Sequence, residues 1–183
     1  MRIRFERRFS MAHRLIADPL SKCATPHGHN EFVVVELATD ARPDMGGANS
    51  VAPFERLKGR WHRWIDDHVD HAFQLAADDP LVDWFRTHEP QRLPRLMLFD
   101  GDPTTEALAL AFWRKLSAFL RVDAPDFRLA ALTLHETPTN AVTLDEAGAR
   151  ALAGWRPAAW CERADDSLND LALPLPEPQR TKA

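Results

Sequence analysis

The sequence has little cysteine: Cys23 and Cys161 are the only two, which excludes the disulfide framework of a small secreted domain. Its opening, "MRIRFERRFS", lacks the apolar segment of a secretory signal, and no apolar run approaches the length of a membrane span. Cytoplasmic residence with reduced thiols is the expectation that follows. No internal repeat is present, and the seven glycines form no phosphate-binding loop. Lys and Arg are scattered through a chain of formal net charge −4, so there is no basic face for nucleic acid. A local cationic pocket for an anionic small molecule is still compatible with that balance. Hydrophobic residues make up 45% of the 183, enough for the core of one compact domain.

The start, "RIRFERRFSMAHRL", alternates so that Phe5, Phe9, Met11 and His13 share one face of a strand. After a polar loop carrying Cys23, "HGHNEFVVVELATD" is rich in β-branched and aromatic residues and reads as a second strand, antiparallel to the first. The turn-rich linker "ARPDMGGANSVAP" leads to Phe54, Leu57, Trp61, Ile65 and His68 at helical spacing, in a helix ending near residue 71. The next stretch, residues 76–102, is Pro-punctuated and reads as loop with a short helix over 81–86. Asp102 as N-cap and Pro103 at the first position open a second long helix with Ala107, Leu108, Ala111, Phe112, Leu116 and Phe119 on one stripe. "DFRLAALTLHET" and "NAVTL" then form two strands around a turn. The expected order is ββααββ, an α+β domain over residues 1–147. Residues 148–183, with weak periodicity and many prolines, are expected to form an arm or tail, partly disordered.

His27 and His29 stand two apart on a predicted strand and so leave one face together, with Gly28 between them. His13, inward on the neighbouring strand, can join them. Three imidazoles with one open position suit a catalytic Zn²⁺, although an H-G-H triplet alone also occurs as hydrogen-bonded loop or core histidines. Cys23, four positions before His27 and next to Lys22, is either a small packed residue or a thiol whose thiolate a nearby cation favours, fit for proton abstraction. Two Asp-His pairs follow in "DDHVDHAFQL". His68 falls on the apolar helix stripe and is expected to pack; Asp70 and His71 fall at the helix end, where the carboxylate can fix the imidazole's tautomer and raise its basicity. Glu136 lies at a strand end, as a solvated carboxylate or a ligand anchor.

Taken in order, "FSMAHRL", "CATPHGHN", "FERLK", "WIDDHVDHAFQL", "DPTTEALA" and "ETPTNAV" resemble the motifs of the 6-pyruvoyl-tetrahydropterin synthase and 6-carboxytetrahydropterin synthase family, over about residues 5–144. The resemblance implies a tunnelling fold, with an antiparallel four-stranded sheet, two helices on one face, and assembly into a homo-oligomer, commonly a hexamer of two stacked trimers. It implies that His13, His27 and His29 hold zinc, that Cys23 is the catalytic base, that Asp70 and His71 assist proton transfer, and that Glu136 anchors a pterin ring. Pro53, Ala107 and Leu144 depart from the family pattern. The four-position step from Cys23 to His27 resembles the bacterial 6-carboxytetrahydropterin synthases of queuosine and deazaguanine biosynthesis, whereas biopterin-pathway enzymes often have a longer loop. The implied reaction is conversion of 7,8-dihydroneopterin triphosphate to 6-carboxytetrahydropterin with loss of triphosphate and acetaldehyde. The alternatives are 6-pyruvoyl-tetrahydropterin formation or a non-catalytic zinc- or pterin-binding relative. Arg14, Lys22 and Lys58 are the positional candidates for holding the triphosphate.

Overall fold

The computed structural model describes residues 1–39, 47 and 49–171. Most of the turn-rich linker and the last part of the expected tail therefore lie outside the described residues. Strand β1 (Arg2–His13) turns Phe5, Phe9, Met11 and His13 inward, as its alternation predicts. It pairs antiparallel with β2 (His27–Ala38) without interruption from Arg2 opposite Ala38 to His13 opposite His27. Val33, Val35 and Leu37 of β2 are buried on that same inner face.

Helix α1 (Phe54–Trp64) buries Leu57, Trp61 and Trp64 and runs on through a π-type turn, Ile65–Val69. Four short elements follow: β3 (Phe73–Ala76), α2 (Pro80–His88), a 3-10 segment (Pro90–Arg95) and β4 (Leu96–Phe99). The long helix α3 (Thr105–Asp123) carries its apolar stripe fully buried. Strands β5 (Arg128–His135) and β6 (Ala141–Asp145) pair antiparallel, and α4 (Glu146–Ala151) closes this part of the chain. Trp61 stacks on Trp64 at 5.2 Å between ring centres, and both meet Phe112 of α3 edge-on, which packs α1 and α3 against the inner face.

The sheet is larger than expected: six strands in the order β4-β3-β1-β2-β5-β6, with β3 parallel to β1 and to β4. The four-stranded antiparallel ββααββ expectation fails on β3 and β4. Both are four residues long and buried almost throughout, so neither shows the alternation that marks a half-exposed strand. The start of α3 also differs. Its cap is Thr104, which accepts the Ala107 N–H at 3.3 Å. Asp102 is engaged elsewhere, accepting the N–H groups of Ile16 at 2.7 Å and Ala17 at 3.0 Å.

The expected arm after residue 147 is not an arm over 157–170. Ala158, Trp160, Cys161 and Leu168 belong to the main core. Trp160 donates to the Leu98 carbonyl at 2.7 Å, Leu98 donates to the Leu168 carbonyl at 3.1 Å, and Asp100 donates to that of Pro157 at 2.7 Å. This stretch thus covers the outer edge of β4. Lys115, fully buried on α3, donates to the carbonyls of Trp160 and Arg163 at 3.1 and 3.2 Å and to Asp165 at 3.3 Å. The rings of Trp64, Phe119 and Trp160 surround its ammonium. Burial lowers the Lys115 pKa, against the opposing pull of Asp165. Cys161, expected in a tail, is enclosed, and burial pushes its thiol up to about 11.

Candidate active site

The pairing of β1 with β2 brings three imidazoles to one point. His13, opposite His27, and His29, opposite Met11, share the inner face. One nitrogen from each of His13, His27 and His29 lies within 4.8 Å of the others. Gly28 makes this possible from the other face, because a Cβ there would come within 2.5 Å of the Met11 carbonyl oxygen. A side chain at this position would force the two histidine-bearing strands apart.

The outward nitrogens are held by the backbone. His13 Nδ1 sits 3.0 Å from the Pro103 carbonyl oxygen and His27 Nδ1 sits 2.8 Å from that of Thr25. A carbonyl can only accept, so both Nδ1 atoms carry a proton, and in a neutral ring so held Nε2 turns a bare lone pair inward. Those two Nε2 atoms are 3.1 Å apart. Two acceptors at that distance repel unless a cation lies between them. Tetrahedral zinc with ordinary Zn–N bonds holds its nitrogens about 3.3 Å apart, so the donor set fits a metal of that kind. Carbonyl-anchored imidazoles are also the usual outer support of such sites. The pKa of His13 is lowered by its burial first, while the Pro103 carbonyl and Glu136 oppose that shift and His27 and His29 add to it.

Cys23 is half-buried in a short 3-10 turn, Lys22–Ala24, capped by Ser21. Its carbonyl accepts the Leu15 N–H at 2.8 Å, which fastens its backbone between the strand end at His13 and the strand start at His27. Asp102, holding Ile16 and Ala17, pins the same loop from below.

Asp70 and His71 form a pair, with His71 Nδ1 2.8 Å from Asp70 Oδ2. Burial would raise the Asp70 pKa, but the Ser10 N–H, the His71 ring and Arg95 outweigh it and hold the carboxyl below its usual value. His71 takes a left-handed backbone, φ 64°, as the chain turns from the π-type segment into β3, and its side chain is 80% exposed. The pair hangs on Ser10 of β1, about 10 Å along the strand from His13 at the usual rise per residue. Within one chain, and among the described residues, its ring bonds to neither Cys23 nor the three histidines.

Glu136 stands just past the end of β5, and Thr105 donates to its Oε1 at 2.6 Å. Residues 102–105 therefore hold the Cys23 loop, the first histidine and Glu136 at once. The sequence reading missed two buried polar side chains on this face. Glu31 of β2 is 1% exposed and its Oε2 has no partner; burial, then the charge of Glu136, pushes its carboxyl up to about 8. Gln74 of β3, opposite His13, is fully buried with both amide atoms unpartnered. Buried polar groups without partners each cost about 1–3 kcal/mol, which a bound water, ion or ligand can offset by supplying the missing bonds.

Arg14, one candidate for the triphosphate, is committed to the buried Asp79, donating through Nε at 2.7 Å and through Nη2 to the other carboxylate oxygen. His68, expected to pack, is half-buried in the π-type turn.

Comparison with known proteins gives consistent results. The family model for 6-pyruvoyl tetrahydropterin synthase matches residues 2–147. A Rickettsia conorii protein named 6-carboxy-5,6,7,8-tetrahydropterin synthase is 27% identical over 71% of this chain and 89% of its own length. A Halobacterium salinarum protein described as a probable 6-carboxy-5,6,7,8-tetrahydropterin synthase is 31% identical over 72% of this chain and 77% of its own. Among solved structures, the Caenorhabditis elegans 6-pyruvoyl tetrahydropterin synthase superposes with TM-score 0.52 at 26% identity, over 79% of this chain and 94% of that one. An uncharacterized Wolinella succinogenes protein gives TM-score 0.61 at 21% identity, over 80% and 98%. No helix among the described residues is long and apolar enough to cross a membrane.

Proposed function

The chain belongs to the 6-pyruvoyl tetrahydropterin synthase family, and from that premise we propose that it is a zinc-dependent lyase. Its reaction is the conversion of 7,8-dihydroneopterin triphosphate and water to 6-carboxytetrahydropterin, triphosphate and acetaldehyde, a step of queuosine-type deazaguanine biosynthesis. The observation that carries the metal is the pair of carbonyl-anchored imidazoles whose bare Nε2 atoms meet at 3.1 Å, with His29 beside them. The names of the relatives support the carboxy product. Zinc held by His13, His27 and His29 would polarise the hydroxyls of the substrate side chain and acidify the adjacent C–H.

The chain's own groups do the rest. Glu136, its carboxylate fixed by Thr105, accepts two N–H bonds from the edge of the pterin ring and sets which carbon faces the Cys23 loop. The Cys23 thiolate takes the proton from the side chain. His71, with its tautomer held by Asp70, returns a proton; being 80% exposed, it serves the site of an adjoining copy.

Two sheet edges support such an assembly. Residues 2–8 of β1 have no strand partner on the side facing β3 among the described residues, and β6 ends the sheet on the other flank. Light scattering at micromolar concentration is expected to show a closed homo-oligomer, a hexamer of two trimers; a stable, active monomer would overturn the shared site.

The reaction is tested with 7,8-dihydroneopterin triphosphate and mass spectrometry of the products. A 6-carboxy pterin with acetaldehyde is the expected result. A 6-pyruvoyl pterin without acetaldehyde would move the chain to the other activity of its family, and pterin binding without either product would make it a binding protein. In the same assay Cys23→Ala is expected to keep zinc and lose turnover by about 10²-fold or more. Near-normal turnover in that variant would assign the proton to another group.

A further inference from the structure

We propose that Glu31 is a second carboxyl that reads the ligand's ring, so that Glu31 and Glu136 together bracket the exocyclic amino group of a 2-amino-4-oxo pteridine. The inference deepens the pterin reading above and rests on it. Glu31 lies on the inner face of β2 with His27 and His29, two residues along from the second. The last pair of the β2 and β5 ladder is Phe32 with His135, and the same register continued by one step would set Glu136 toward Glu31 on the side of the histidines. Two acidic side chains are thus adjacent at a site where one of them is 1% exposed. Neither forms an ion pair with Lys or Arg among the described residues. Thr105 occupies one oxygen of Glu136, whereas Oε2 of Glu31 has no hydrogen-bond partner at all.

Such a pair is costly in the free protein and makes sense against a ligand edge rich in N–H groups. In a 2-amino-4-oxo pteridine the ring N3–H and one amino hydrogen point the same way and fit one carboxylate, that of Glu136. The second amino hydrogen points away from that edge and needs a second acceptor. Glu31 Oε2 supplies it. With both amino hydrogens taken, a ring carrying oxygen at position 2 keeps its N3–H for Glu136 but turns a lone-pair oxygen toward the places where the two carboxyls take the amino hydrogens, and the site disfavours it.

The test is fluorescence titration of the purified protein with two probes, neopterin and its 2-oxo counterpart of the lumazine type, alongside thermal unfolding. The unaltered protein is expected to prefer neopterin by about 10²-fold, as for a site built around a hydrogen-bonded group. Glu31→Leu is expected to cut that preference by about tenfold while its melting temperature holds or rises, since a buried unpaired acid has gone. Glu31→Gln, which keeps the shape and an acceptor oxygen, should lose less. A merely structural Glu31 would change stability and leave the ratio alone, so an unchanged preference in both variants overturns the inference. If the unaltered protein binds both probes equally, the amino-group reading falls and the pterin reading stands; if it binds neither, both fall.

Discussion

His27→Ala is expected to leave the purified protein nearly free of zinc, where the unaltered chain carries close to one ion each. In their neutral forms His13 and His27 aim lone pairs at each other, and removing one ring leaves two imidazoles rather than three. Spread over four ligands, the roughly 10–16 kcal/mol typical of zinc bound by proteins gives on the order of 3 kcal/mol for each. Affinity should therefore fall by on the order of 10²-fold, enough to strip the metal during dialysis against a weak chelator. Metal analysis after that dialysis is the measurement. The change should not unfold the chain, because His27 is only half-buried and its strand pairing runs through the backbone. His68→Ala is the matched control and is expected to retain the ion. Retention of the ion in His13→Ala, His27→Ala and His29→Ala alike would end the metal reading.

The second large effect is on stability. Trp160→Ala is expected to cost about 3–5 kcal/mol, the usual penalty for emptying a buried aromatic site. Trp160 is 1% exposed, lies between Trp64 and Phe99, and donates its ring N–H to Leu98. Its carbonyl is one of the three acceptors of the buried Lys115 ammonium. Loss of the ring would therefore open both a cavity and the wall around a charge. In a chain of this length the melting temperature should drop by roughly 10 °C, and Trp160→Phe should recover most of it. A melting temperature unchanged in Trp160→Ala would mean that residues 157–170 are an appendage after all.

The sequence reading and the structure agree where a side-chain period was present. Phe5, Phe9, Met11 and His13 alternate, so β1 and the inward direction of His13 were readable, and the stripe of α3 was readable for the same reason. β3 and β4 carried no period because both their faces are covered. Trp160 and Leu168 gave no signal either: each enters the core from irregular chain, held by backbone and side-chain hydrogen bonds that follow no spacing rule. Glu31 was legible in principle. It has the same parity as His27, His29 and Val33 on β2, so an acid there is an acid on the buried face. Gln74 was not, since its strand went unseen. The distance between the His71 ring and the histidine cluster also lay beyond the sequence, because the order of motifs along a chain says nothing about their separation in space.

The seal formed by residues 157–170 over β4 and α3 has a bearing on how the protein is made. The strands, α1 and α3 leave the ribosome before it, with Trp64, Phe99, Phe119 and the Lys115 ammonium still waiting for Trp160 and Asp165. A nascent chain halted before residue 157 would present an uncovered β4 edge and an unneutralised cation beside bare aromatic rings. Such a chain is a natural client for a chaperone and an easy target for a protease. The fold thus registers translation as far as Leu168, the last residue that the core takes in.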